Sequence, residues 1–133
     1  MKNLKTSIAA RNAQLNALGA LADSGYLRIY AGSQPANPET PASKDLLLAE
    51  LRMAATAFTA ARDGEIKSNR IADEADAKQT GKATWYRLCK SDGRSAIWDG
   101  SVGTADADLV LDDATIKIHA RVSITSLTYS LPE

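Results

Sequence analysis

A chain of 133 residues, 44% hydrophobic and 24% charged, has the size and make-up of one folded domain burying roughly two-thirds of its unfolded surface, which excludes wholesale disorder. Sixteen basic side chains balance sixteen acidic ones, so the basic excess that carries a protein onto a nucleic-acid backbone is missing. A single cysteine, Cys89, excludes an intrachain disulfide scaffold and points to folding in a reducing cytoplasm.

The chain opens with helical periodicity. Leu4, Ile8, Leu15, Leu18 and Ala22 recur at steps of three and four once Arg11 is admitted to the series, which predicts an amphipathic helix over residues 3–22. Asn3 or Thr6 is positioned to cap its start, and Gly25 sits where a left-handed residue would end it. Gly19 inside the pattern costs about 1 kcal/mol relative to alanine. Lys2, Lys5, Arg11 and Arg28 face only Asp23 in this part of the chain, which reads as a solvated helix face. The opening MKNLKTSIAA has no continuous apolar core, so it does not read as a signal peptide. No run approaches the roughly 20 apolar residues of a membrane-spanning helix. The stripe needs a cover, either its own β domain or a neighbouring subunit. Leu4, Ile8, Leu15 and Leu18 are the candidate contact residues.

After Gly25 the period shortens to that of strands. YLRIYA at residues 26–31 alternates Leu27 and Ile29 against Tyr26, Arg28 and Tyr30. GSQPANPETPAS then carries Pro35, Pro38 and Pro41, which remove backbone donors and bar a central strand, leaving a loop that is a second candidate contact surface. Residues 46–53, LLLAELRM, read as a strand buried on both faces that continues past a bulge towards Phe58, with a helix over 45–61 as the alternative. Asp63-Gly64 signals a tight hairpin before residues 65–71, and residues 73–82 form a charged loop. Residues 83–89 alternate Trp85, Arg87 and Cys89 against Thr84, Tyr86 and Leu88, and Ser91-Asp92-Gly93-Arg94 turns the chain into residues 95–99. Residues 108–111 make a short strand and Asp112-Asp113 a turn. Ile116, Ile118, Ala120, Val122 and Ile124 then share one parity, which predicts a long antiparallel strand with Lys117, His119 and Arg121 on its wet face. The apolar parity switches to Leu127, Tyr129 and Leu131, which places a bulge or a crossing between sheets near Ser126.

Chemistry-bearing patterns are few. His119 is the only histidine, so a multi-histidine metal site is impossible, and its strand position predicts a solvated side chain. Cys89 has no nucleophile signature, its only possible histidine partner is His119, and it reads as a small buried hydrophobe. Asp106, Asp108, Asp112 and Asp113 lack calcium-loop spacing and read as turn-formers, as do Asp73, Glu74 and Asp76. Gly100 and Gly103 are followed by neither a helix nor Lys-Ser/Thr, so they make no phosphate loop. Trp85, Tyr86 and Trp98 read first as core; the alternative is a stacking platform for sugars.

The expected fold is all-β, an antiparallel β-sandwich or jelly roll with an N-terminal α-helix, divided into a helix or arm at 1–24 and a sandwich at 25–133. The stretches YLRIYAGSQPANPETPASKDLLLAELRM, GKATWYRLCKSDGRSAIWDGSVGT and ADLVLDDATIKIHARVSITSLTYSLPE together resemble small proteins encoded among the head and tail morphogenesis genes of tailed bacteriophages and prophages. The resemblance covers nearly the whole chain and rests on strand and turn patterns. It implies a non-enzymatic virion component, such as a capsid decoration, minor head or neck protein, that assembles in the host cytoplasm. The partners it implies are other virion proteins (capsid, portal, neck or tail) and copies of itself, with no cofactor, metal, nucleic acid or membrane. The alternative is a tail-associated module that binds carbohydrate or receptor through Trp85, Tyr86 and Trp98.

Overall fold

The computed structural model describes residues 2–131; Pro132 and Glu133, which close the expected β domain, lie outside the described residues. The protein is mostly β. One helix, α1 (Ile8–Ala20), precedes the strands β1 (Tyr26–Tyr30), β2 (Leu47–Arg52), β3 (Glu65–Lys67), β4 (Gly81–Lys82), β5 (Trp85–Cys89), β6 (Ala96–Gly103), β7 (Leu109–Leu111), β8 (Thr115–Ile116) and β9 (Ile124–Ser130). Seven strands form one mixed sheet in the order β2-β1-β5-β6-β7-β9-β3, and β4 pairs with β8 separately.

The helix starts at Ile8 rather than at residue 3. Ser7, not Asn3 or Thr6, is its cap: the Ser7 hydroxyl accepts from the Ala10 amide at 3.1 Å. Residues 2–6 lie outside the helix because nothing is there for them to pack on; Leu4 is 93% exposed. The buried face is a narrow ridge of Arg11, Leu15 and Gly19, continued by Ala22. Gly19 has a positive purpose here. An added Cβ would sit 3.3 Å from both Ile66 and Phe58, so a bare backbone lets the helix lie close on β3. The left-handed residue after the helix is Ser24 (φ 55°), not Gly25. Gly25 is required for another reason: a Cβ there would fall on the carbonyl oxygen of Cys89.

In the sheet, β1 lies between β2 and β5, antiparallel to both. Its alternating Leu27 and Ile29 are fully buried. The ambiguous stretch after the proline loop is a strand: Leu48, Ala49 and Leu51 are buried, and the chain then runs irregularly to a bridge between Phe58 and Ser68. Asp63 and Gly64 both take positive φ (52° and 74°), while Arg62 and Glu65 exchange backbone hydrogen bonds of 2.9 and 3.0 Å, the geometry of a type I′ hairpin. All five residues of β5 are buried, as a strand covered on both faces requires.

Two expectations are corrected. The sheet is not purely antiparallel, because β6 and β7 run parallel, with Val102 opposite Leu109 and Gly103 opposite Val110. Residues 104–108 reverse the chain twice, using left-handed Asp106 (φ 51°) and an Asp108 carboxylate that accepts from the Ser101 amide (3.0 Å) and hydroxyl (3.1 Å). The second correction concerns the long strand predicted over 116–125. It is cut by a turn in which the Ala120 amide donates to the Lys117 carbonyl (3.0 Å) and His119 has φ 69°. Ile116 and Val122 stay buried while Ile118 is 49% exposed. The ladder is replaced by pairing to the charged loop, with the Ala77 amide on the Ala120 carbonyl and the Glu74 amide on the Val122 carbonyl, both at 2.9 Å. The parity switch near Ser126 is a real irregularity: Val110 faces Ser126 but Leu111 faces Ile124, so Thr125 is the extra residue.

The core is one cluster. It joins Leu15 and Ala22 from the helical segment to Leu27, Ile29, Leu51, Ile66, Leu88 and Leu127 from the sheet.

Candidate functional site

Register places a row of charges straight across four strands. Glu50 on β2 faces Arg28 on β1, Arg28 faces Arg87 on β5, and Arg87 faces Asp99 on β6. Two guanidiniums side by side repel, so each is neutralised from its outer side. Arg28 Nε donates to Glu50 at 2.7 Å. Arg87 binds Asp99 bidentately, at 2.7 and 3.0 Å, with both side chains almost fully buried. Tyr30 stacks on Trp85 with ring centroids 4.5 Å apart and planes 13° apart, and the Arg87 guanidinium lies 5.4 Å from the Trp85 ring centre. Cys89 is buried on this face, 3.8 Å from Arg28 Nη1; burial pushes its thiol up despite the two arginines, which keeps it a poor nucleophile. The row fastens four strands together and presents no unpaired charge to a ligand.

The proline loop lies beside this face. Ala31 accepts from Trp85 Nε1 at 3.3 Å, and Pro38, Glu39 and Pro41 share a shallow cleft with Arg87 and Arg94. Pro35 and Pro38 are half-buried and only Pro41 is exposed, so the loop presents one of its three prolines outward.

Of the helix stripe, Leu15 belongs to the core and Leu18 packs against it. Leu4 and Ile8 (52% exposed) remain open, on opposite sides of the cap. Arg11, admitted to the stripe only to keep its period, proves buried at 8% exposure, with its Nη1 on the Thr6 carbonyl. That hydrogen bond fixes the direction in which residues 2–6 leave the helix.

Trp85, Tyr86 and Trp98 are 3%, 1% and 7% exposed, which removes the sugar-stacking platform as a correction to that alternative. The Tyr86 hydroxyl accepts from Trp98 Nε1 at 2.7 Å, and burial pushes the phenol well above its ordinary range. Trp98 also packs on Phe58 and Tyr129, with centroids 5.6 and 4.6 Å away. Their large apolar area fills the interior of a domain holding one phenylalanine.

The histidine and the acidic groups sort into turns and ion pairs. His119 Nδ1 lies 2.6 Å from Asp76, and both side chains are exposed. Arg121 reaches Asp73 at 3.6 Å and Lys78 reaches Glu74 at 3.5 Å. Asp112 accepts from the Thr125 hydroxyl and Asp113 from the Thr115 amide. Among the described residues no group of three or more His, Cys, Asp or Glu comes together as metal ligands would, and no helix is long and apolar enough to cross a membrane.

What periodicity missed is an open groove of about 350 Å³ beside the unexpected turn, floored by Ile116 and Val122 and rimmed by Asp112, Asp113, Lys117 and Arg121. Predicting a continuous strand through residues 116–125 hid it; the exposed Ile118 in mid-alternation is the trace of the turn that interrupts that strand. No protein-family model matches this chain, no curated protein matches it, and no solved structure matches it.

Proposed function

We propose that this chain is a non-enzymatic structural subunit of a tailed-phage or prophage particle, a capsid decoration, minor head or neck component acting through repeated protein–protein contacts. The observation that carries this reading is the contrast between a filled interior and a few aliphatic side chains left exposed outside it. Aromatics, the buried arginine row and the cysteine are all used internally, while Leu4, Ile8 and Ile118 stay at 93%, 52% and 49% exposure. Exposed aliphatic side chains, Leu4 on the segment ahead of α1 among them, suit docking into a neighbouring subunit. The strand and turn patterns that resemble phage morphogenesis proteins support the same reading.

In finer detail we read the body as a β-sandwich. Trp98 on β6 touches Tyr129 on β9 although β7 lies between those strands in sheet order, as a sheet curled over a shared core would allow. The partners are other virion proteins and copies of the chain, and the place of assembly is the host cytoplasm.

Mass spectrometry of purified particles from the host that encodes the chain is the test. Recovery at many copies per particle is expected, and absence from intact particles would overturn the reading.

A further inference from the structure

We infer that two copies of this chain pair edge to edge through β2, antiparallel and with Leu51 of each copy at the twofold axis, so that Glu50 of one copy lies opposite Arg52 of the other. This rests on the homo-oligomeric reading above and names its contact. β2 and β3 are the two ends of the seven-stranded sheet. The β3 end is closed by the chain ahead of it: the Thr59 amide donates to the Lys67 carbonyl at 2.9 Å, and Arg62 and Glu65 exchange backbone hydrogen bonds. The β2 end is closed only over its first half, where the Leu48 carbonyl accepts from the Lys78 amide at 2.8 Å and the Leu47 carbonyl from Gln79 Nε2 at 3.1 Å.

Alternation shows which groups are left open. The Tyr30 carbonyl accepts from the Thr84 amide on the β5 side, so Leu27 and Ile29 turn towards β2, and their partners Leu51 and Ala49 turn towards β1. The Met53 amide on the Gly25 carbonyl, at 2.9 Å, keeps the same phase. Glu50 and Arg52 therefore aim their amides and carbonyls away from the sheet, and no backbone group among the described residues meets them. Such an edge is a template for another strand.

Charge selects the partner and the register. Arg52 is exposed, with its Nε on the Ser24 carbonyl and its Nη1 on the Tyr26 hydroxyl, both at 2.9 Å, and no carboxylate among the described residues pairs with it. Glu50 accepts from Arg28 through Oε2, which leaves Oε1 for a second cation. Three antiparallel registers bring these open groups together in a self-pair. Centring on Glu50 or on Arg52 sets like charges opposite each other, whereas centring on Leu51 sets Glu50 against Arg52 twice over. A second copy thus supplies the carboxylate that Arg52 lacks, and because the contact is isologous it closes at a dimer.

The test is sedimentation equilibrium of the full chain over a concentration series, with circular dichroism to confirm folding and amide hydrogen exchange to read the edge itself. Wild type is expected to dimerise, with the Glu50 and Arg52 amides about tenfold or more better protected in the dimer than in dilute monomer. Arg52→Glu sets acid opposite acid, and Arg52→Pro removes an outward amide that no bond within the chain uses; each is expected to stay folded and to weaken association by about tenfold or more. Glu50→Arg is expected to weaken it likewise, and mixing that variant with Arg52→Glu should restore association, since the mixed pair again faces opposite charges at both positions. A monomeric wild type, unprotected edge amides in a dimer, unchanged association in folded Arg52→Glu or Arg52→Pro, or no recovery in a mixture of two folded variants overturns the proposal. If Glu50→Arg unfolds on losing the Arg28 pair, Arg52→Pro and the edge amides decide. A protein found in particles whose edge amides stay unprotected would sink this contact and leave the virion reading standing; the charge pattern above in a protein absent from particles would do the reverse.

Discussion

Asp99 shows how a single carboxylate holds a sheet face together. Among the described residues it is the only counter-charge paired with buried Arg87, and Arg28 sits on the opposite side of that guanidinium. Asp99→Ala therefore leaves a buried cation beside another cation, and a loss of about 3–5 kcal/mol in denaturant unfolding is expected; a loss below about 1 kcal/mol would show that water reaches Arg87. Asp92 works at the surface instead. Hydrogen bonds from the Ser95 hydroxyl, the Ser95 amide and the Arg94 amide lower its carboxyl from 3.8 to about 2. A depressed acid stabilises the fold fully above its unfolded value and loses that contribution as pH falls through the folded one. The β5–β6 turn should thus hold down to about pH 4 and loosen between pH 4 and 2. A carboxyl NMR titration should place the Asp92 midpoint near 2; a midpoint at the ordinary value would mean the turn bonds are absent. The turn was legible from Ser91-Asp92-Gly93-Arg94. The Arg87–Asp99 pair was not, because register, which sets it opposite, is a property of two strands at once.

At the scale of elements, α1 is an integral part of the core and only the segment ahead of it is an arm. Removing residues 1–5 deletes nothing buried among the described residues and keeps the Thr6 carbonyl that holds Arg11, so stability should change by no more than about 0.5 kcal/mol. Removing 1–22 takes away Leu15, worth about 2–5 kcal/mol on its own, together with the ridge that covers Phe58 and Ile66. That truncation is expected to lose its cooperative thermal transition, and a folded product would show that the β part stands alone. The existence of the helix was legible from its periodicity, but its start was not. Ser7 is a better cap than Thr6 by type, and its hydroxyl accepts from the Ala10 amide while the Thr6 carbonyl is taken by Arg11. The strand over 116–125 failed for a related reason: alternation describes where apolar groups fall but carries no information about the loop at 73–82 that competes for the same backbone groups.

Across the whole molecule, one cluster connects the helix to both ends of the sheet order. Tryptophan fluorescence, which reports Trp85 and Trp98 in the interior, and far-UV circular dichroism should therefore lose signal in the same transition. Two separated transitions would mean that the helix and the sheet are independent units. The charge balance and the single cysteine carry over unchanged from composition to structure. The parallel β6–β7 pair does not, since it depends on Asp108 reaching back to Ser101.

The sequence by itself determined the local features: the period of each segment, the tight turns at Asp63-Gly64 and around Asp92, and the burial of Leu27 and Ile29. Each of these follows from side-chain volume or backbone preference within a few residues. Tertiary structure alone decided which faces were covered, that Arg28 and Arg87 would share a neutralised row, that Gly25 must clear the Cys89 carbonyl, and that a groove would open between Asp112 and Val122. Those outcomes depend on groups distant along the chain meeting in space, and no window of sequence contains both partners.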